Sequence, residues 1–393
     1  MKNLTFGTKV IIGVIFLVLI GTIPLITLGI MSSQEAEKAL EVSAFQQLNA
    51  IREIKKKSIT NYFKEREGDM EVLVDIVTSF KGDYEPQYPF LSRYIKSYGY
   101  YDLFLIRPDG FVFFTVTKEA DFETNVMNGK YSSSGLGKLF RKVLEIDEYA
   151  LVDFEAYAPS NGDPAAFFGH PIKDETGKVI AVVALQMPLE GIDGIMHVRE
   201  GMGETGESYL IGPDLLMRSD SFLDPVNHSV KGSFANPLKG KVDTKAGRDI
   251  FLGKSGAEEI TDYNGNHVLS AYSPLTFNGI TWGIIAEIDM AEVDIPIIAL
   301  KNEIYFIIGS TLVVVILIIL LVSFAARNEV KFLSNVVHSL SGSSDQLSAA
   351  SSEISNGSIQ LSQGATEQAA NLEEVSASME EISSQAQGNA NNA

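Results

Sequence analysis

Leu105-Ile106-Arg107-Pro108-Asp109 returns 105 residues later as Leu210-Ile211-Gly212-Pro213-Asp214. In each copy an apolar run breaks on a Pro, which presets a turn dihedral, followed by an Asp, which bonds its own backbone in turns. Residues 101–106 therefore predict a strand, 107–110 its turn and 111–116 the returning strand. Residues 208–211, 212–214 and 215–217 repeat that plan. A second echo joins 167–171 and 179–187 to 269–274 and 281–288, about 101–103 residues on. Two copies of strand–turn–strand, helical segment and two-strand finish predict two duplicated α+β modules.

Before the first module, residues of about 32–80 contain no Pro and only Gly68. Leu40, Ala44, Leu48, Ile51, Ile54, Ile59, Phe63, Met70 and Leu73 recur at helical spacing, which predicts one long stalk helix. Upstream, residues 10–30 carry no charge, and downstream the charge-free run is 304–326; each is long enough to cross a hydrocarbon core. A signal peptide is the rival reading of the first run, but the run is long for one and lacks a small-residue cleavage site. Lys2 and Lys9 precede it, and Arg327 and Lys331 follow the second run. Basic residues on that side place both chain ends in the cytoplasm, with 31–303 outside.

The net charge of -19 argues against a nucleic-acid partner, whose phosphates need Lys and Arg. There is no Cys, and the five His are scattered, so no metal site or bound cofactor is expected. Gly201, Gly203 and Gly206 spell G-x-G-x-x-G, yet a dinucleotide loop follows a strand and opens a helix. Here the glycines follow a predicted helix at 190–199 and precede a strand, which makes them a joint between modules. No G-x-S-x-G motif or acid–base carboxylate pair stands out, so no enzymatic activity is expected.

The duplicated modules, the long helix and the run Gly203-Glu204-Thr205-Gly206-Glu207-Ser208-Tyr209-Leu210 resemble the double Cache domain of bacterial receptors over about 33–295. The resemblance implies an α+β fold: a long N-terminal helix and two PAS-like modules, membrane-distal (89–200) and membrane-proximal (201–303). It also implies a small-molecule ligand in the distal module, held between the sheet and segments 118–138 and 153–168. The polar candidates there are Tyr131, Ser132, Ser133, Tyr157 and Asn161, with Phe113 and Phe168 as walls. Most other aromatics of this module are read as core. In amino-acid-binding members an Asp on the last strand takes the ammonium, and Gln186 stands near that place here. An ordinary α-amino acid is therefore not the expected ligand; a carboxylate or another small polar metabolite is.

After Arg327, Leu333, Leu340, Leu347, Ile354, Leu361, Gln368, Val375 and Ile382 fall at seven-residue intervals. Val337, Ser344, Ser351, Ser358, Ala365, Leu372, Met379 and Ala386 form the companion row, the pattern of a coiled coil. The stretch Glu367-Gln368-Ala369-Ala370-Asn371-Leu372-Glu373-Glu374 is similar to the first methylation helix of methyl-accepting chemotaxis proteins. That likeness implies methyl esters on Glu367, Glu374 and Glu381, one heptad apart. It further implies a membrane-embedded homodimer working with a cytoplasmic histidine kinase and adaptor, a methyltransferase and a methylesterase. The organisation expected is 1–9 cytoplasmic, 10–31 first transmembrane helix, 32–88 stalk and lead-in, 89–200 and 201–303 the modules. A second transmembrane helix at 304–326 then leads into the α-helical signalling coiled coil of 327–393. No Pro-containing helix–loop–helix relay is evident before Gln363, and Ala393 falls inside the signalling helix, so the sequence is expected to be a fragment. The alternative is the Cache sensor of a membrane-bound cyclase or histidine kinase, which would not need methylation heptads.

Overall fold

The computed structural model describes residues 6–390. Lys2, the Arg327 side chain and Ala393, on which expectations above rest, lie outside the described residues. The chain divides into two compact units: one spans Ile30–Glu303, and the other joins the chain up to Gly29 to that from Ile304.

In the first unit, helix α1 (Phe6–Ser79) supplies the stalk, and a stripe of Leu48, Ile59, Phe63, Met70, Leu73 and Val77 is fully or almost fully buried. With the buried Arg52 and Lys55 between Leu48 and Ile59, the positions recur every three or four residues up to Phe63 and again from Met70, the spacing that keeps side chains on one helical face. Helix α2 (Tyr88–Tyr98) follows a short turn and stops at Gly99, whose φ of 77° suits a residue without a Cβ.

The first module is a five-stranded antiparallel sheet in the order β2-β1-β5-β4-β3. Its strands are β1 (Leu103–Ile106), β2 (Val112–Thr115), β3 (Ala150–Ala156), β4 (Pro164–Lys173) and β5 (Val179–Gln186). Helix α3 (Gly135–Ile146) lies between β2 and β3 in the chain. It opens at Ser134, whose Oγ accepts from the Gly137 amide, and it buries Leu136, Leu139, Phe140 and Val143. Alternation along the strands divides the sheet between two neighbours. Phe104, Ile106, Phe167, Val182 and Ala184 pack with α3. Leu103, Leu105, Phe168, Val183 and Leu185 pack with the α1 stripe.

Helix α4 (Glu190–Met196) leads to the second module. Its four strands run β6-β9-β8-β7: β6 (Glu207–Ile211), β7 (Gly256–Thr261), β8 (His267–Phe277) and β9 (Ile280–Asp289). Helices α5 (Val230–Ala235), α6 (Pro237–Gly240) and α7 (Lys245–Phe251) lie between β6 and β7 in the chain. Phe63 joins the two modules: it stacks on Phe277 at 3.9 Å and meets Trp282 and Phe168 edge-on at 5.4 and 6.2 Å. Removing a ring so fully buried costs on the order of 3–5 kcal/mol in other cores.

Two differences from the sequence reading concern edges. The predicted return strand at 215–217 is reduced to a bridge between Ile211 and Met217, because Leu215 takes a left-handed φ of 65° and Arg218 turns inward. The Arg218 guanidinium then occupies the Leu216 carbonyl at 3.0 Å. Conversely, edge strands β3 and β7 form where no strand was expected. β7 reads Gly-Ala-Glu-Glu-Ile-Thr with only Ile260 buried, so its apolar signal is slight.

Helix α8 (Met290–Ala390) follows β9 directly and continues unbroken through residues 327–363. In the second unit, the apolar windows of α1 and α8 are each long and apolar enough to cross a membrane, and none of either window is buried. That exposure removes the reading of either run as a core helix. Leu333, Leu340, Leu347, Ile354, Leu361, Val375 and Ile382 are exposed in the single chain.

Candidate functional site

The α3-facing side of the first sheet ends in a buried polar cluster. Asp102 stands two residues before Phe104, on the same face, and is fully buried. Its Oδ1 accepts from the amides of Leu103 at 2.7 Å, Val116 at 3.0 Å and Thr117 at 3.1 Å, and its Oδ2 from the hydroxyls of Thr115 and Thr117. Burial pushes its carboxyl up against those bonds, which hold it down.

Asp121 comes from the loop after β2 and is also fully buried. Tyr157, at the end of β3 and fully buried, donates its hydroxyl to Asp121 Oδ2. The other oxygen, Oδ1, has no partner. Burial, with the Asp102 charge as a smaller addition, lifts the Asp121 carboxyl to about 6. Burial and the Asp121 charge push the Tyr157 phenol far above its ordinary range, so it is purely a donor here. Gln186 closes β5 on the same face at 5% exposure, and its Oε1 is likewise without a partner. At the rim Glu119 accepts from Tyr101 at 2.6 Å and Ser160 at 2.7 Å. A cleft of about 410 Å³ opens beside Gln186, lined also by Tyr101, Ser160, Glu190 and Lys231.

The expected site residues separate into three groups. Tyr157 and Gln186 share the α3 face. Tyr131 is buried near the start of α3, with its hydroxyl 3.2 Å from Lys130 Nζ, while Ser132 is half-buried and Ser133 and Asn161 are exposed. Phe113 and Phe168 do not wall this site. Phe168 points to the α1 side, and Phe113 packs on Tyr84 at 5.3 Å in a different cleft. The walls are Phe104 and Phe167, the latter 4.9 Å from the Tyr157 ring. Successive residues of a strand face opposite sides of the sheet, so Phe167, not Phe168, is the neighbour of Tyr157. The sequence reading passed over Asp102 and Asp121; a lone Asp opening an apolar strand, and another inside the flanking loop, were the available signals. Glu367, Glu374 and Glu381 are exposed along α8.

Two antiparallel sheets strung along one long helix, the first with a buried polar cluster beside an open cleft, define a two-module sensor domain. The Cache domain model matches residues 31–297, and the chain belongs to the Cache domain family. Among solved structures it resembles the ligand-binding domain of the Pseudomonas aeruginosa PAO1 amino acid chemoreceptor PctC in complex with GABA: 17% identity, 62% of this chain, 99% of that one, TM-score 0.45. It also resembles the sensory domain of the Campylobacter jejuni chemoreceptor Tlp3, at 11% identity, 66% and 98% coverage and TM-score 0.48. A third is the ligand-binding domain of the Pseudomonas fluorescens chemoreceptor CtaA with L-serine, at 15% identity, 63% and 97% coverage and TM-score 0.44. No curated protein matches the chain.

Proposed function

We propose that this chain is the sensing part of a non-enzymatic transmembrane chemoreceptor whose first module binds a small molecule carrying a cationic donor group. The observation that carries the ligand chemistry is the unpartnered Oδ1 of Asp121, buried beside Asp102 with no basic group among its electrostatic neighbours. An orphaned buried acceptor costs free energy that an ammonium or amidinium donor returns. Gln186 Oε1, a second orphaned acceptor on that face, favours a ligand with several N–H donors. The expectation that Gln186 in place of an Asp disfavours an ordinary α-amino acid is thereby revised, because Asp121 supplies a carboxylate from another element.

Family membership, the two apolar helices and the heptads of α8 support the rest of the reading. The domain lies outside the cytoplasmic membrane, and ligand binding biases α8. A kinase–adaptor complex reads that bias, and reversible methylation of Glu367, Glu374 and Glu381 offsets it. Calorimetry of the full chain in detergent, with a panel of small amines and an uncharged matched panel, tests the ligand class. Binding confined to the uncharged compounds would overturn it.

A further inference from the structure

A second set of buried titratable groups lies in the other module, on the face of its sheet turned away from α1. Glu207 on β6 and Glu287 on β9 stand directly opposite each other, and Ser270 on β8 stands directly opposite Glu287. All three are buried, Glu207 at 2% and Glu287 at 3% exposure. The Glu207 carboxylate is saturated: Tyr263 donates to Oε1, and Ser221 at 2.8 Å, Phe222 N at 3.1 Å and Leu223 N at 3.3 Å donate to Oε2. It is surrounded as an anion should be.

Glu287 is not so surrounded. Tyr209 donates to its Oε2 at 2.8 Å, but Oε1 has no partner, and neither has Ser270 Oγ across from it. The charged and titratable groups facing it are Glu207 and Tyr209 from β6 and Tyr263 and Asp262 from the β7–β8 turn. His228 lies behind Tyr263, ring to ring at 4.0 Å, with its Nδ1 2.8 Å from Asp224. No lysine or arginine pairs with either carboxylate among the described residues, nor do three His, Asp or Glu converge as metal ligands. Two carboxylates opposite one another in a dry sheet cannot both carry charge cheaply.

We propose that Glu287 is a proton-binding site, which gives the chain a pH-responsive input separate from its small-molecule site. A proton on Oε1 gives the carboxyl a donor for the Ser270 oxygen and removes the repulsion from Glu207, against the Ser270 and Tyr209 hydroxyls, which favour the charged form. Burial, the largest cause, together with the Glu207 charge, lifts the Glu287 carboxyl from 4.5 to about 7, inside the range a cell's surroundings explore. The raised value fixes the sign. The contribution to stability is fully present below about 4.5 and is lost as pH rises through about 7. β9 ends at Asp289 and α8 begins at Met290, so the proton is released within one turn of the helix that carries the second apolar run.

The test is infrared difference spectroscopy of the full chain in detergent, following the carboxylic-acid C=O band during a pH titration. The expected result is a band lost with a midpoint near neutrality and absent from Glu287→Gln. A band that persists unchanged in Glu287→Gln assigns the proton elsewhere and overturns the proposal. Should that variant fail to fold, Glu207→Gln is the second measurement. Removing the facing charge should lower the midpoint by roughly one unit, and an unchanged midpoint overturns the proposal equally.

Discussion

Arg218 of the second module and Asp153 of the first form a two-pronged ion pair, Nε to Oδ1 and Nη2 to Oδ2, each at 2.9 Å. The guanidinium is 2% exposed, and the Trp282 indole N–H donates to the same Oδ1 at 2.9 Å. One carboxylate thus gathers two groups from the neighbouring module. Breaking a buried pair from one side costs about 3–5 kcal/mol where the remaining charge is uncompensated; Asp214, 3.0 Å from Arg218 Nη1, softens that loss here. Asp153→Ala is expected to lower the denaturation midpoint strongly, and Arg218→Met with Asp153→Leu together much less. Denaturant titration of the two variants beside the unaltered chain checks this, and equal losses in the single and double variants would refute the clamp.

The Asp121 carboxyl, held near about 6, sets a pH limit on ligand binding. Below that value Asp121 is protonated and loses its attraction for a cation, so affinity should fall as pH drops from about 7.5 to about 5. Asp121→Asn should weaken binding by roughly tenfold or more at neutral pH and flatten the pH profile. Calorimetry at the two pH values reads both effects.

Tyr157→Phe separates orientation from charge. It takes from Asp121 Oδ2 its phenol donor and raises the carboxyl further, so the pH limit should move upward while the fold persists. A profile identical to that of the unaltered chain would mean that Tyr157 serves packing alone.

The glycine joint performs an unexpected task. Gly201 and Gly203, at φ of 79° and 74°, shape a loop whose Glu204 and Thr205 amides donate to the Glu292 carboxylate at 2.8 and 2.7 Å. Glu292 lies in the first turn of α8, so the loop holds that helix at its start. Glu292→Ala should speed hydrogen exchange at both amides by about tenfold or more, without disturbing the β6–β9 ladder. Unchanged exchange would sink the idea.

Membrane topology has a clean assay, because the chain contains no cysteine. Single cysteines placed at the exposed Glu35 or Ile295 should label with an impermeant thiol reagent on intact cells, whereas one at Ser339 should label only after permeabilisation. Labelling in the reverse order would place the sensor module in the cytoplasm.

Much of the fold was legible because it is written in period. The echo of Leu105-Ile106 in Leu210-Ile211 fell on β1 and β6, and the apolar spacing through Phe63 and Leu73 fell on α1. The edge strands β2 and β6 were legible, but β3 and β7 were not; β7 buries only Ile260, so it carries little apolar pattern. Of the buried polar cluster, Tyr157 and Gln186 were among the expected site residues, but Asp121 joins it only when its loop folds back to Tyr157, a long-range event with no local signature. Phe167 and Phe168 show the remaining limit, since adjacent aromatics in a strand buried on both faces carry no mark of which side each will take.

Trp282 is the only tryptophan in 393 residues, and its indole is held against Asp153 at the junction of the modules with Phe63 and Phe277 around it. The chain therefore contains its own optical gauge. Emission excited at the red edge of the absorption band comes from this one ring alone. Its colour and its quenching record whether the indole N–H still has its carboxylate partner. Any movement of one module against the other during sensing can be followed as light, with no label attached.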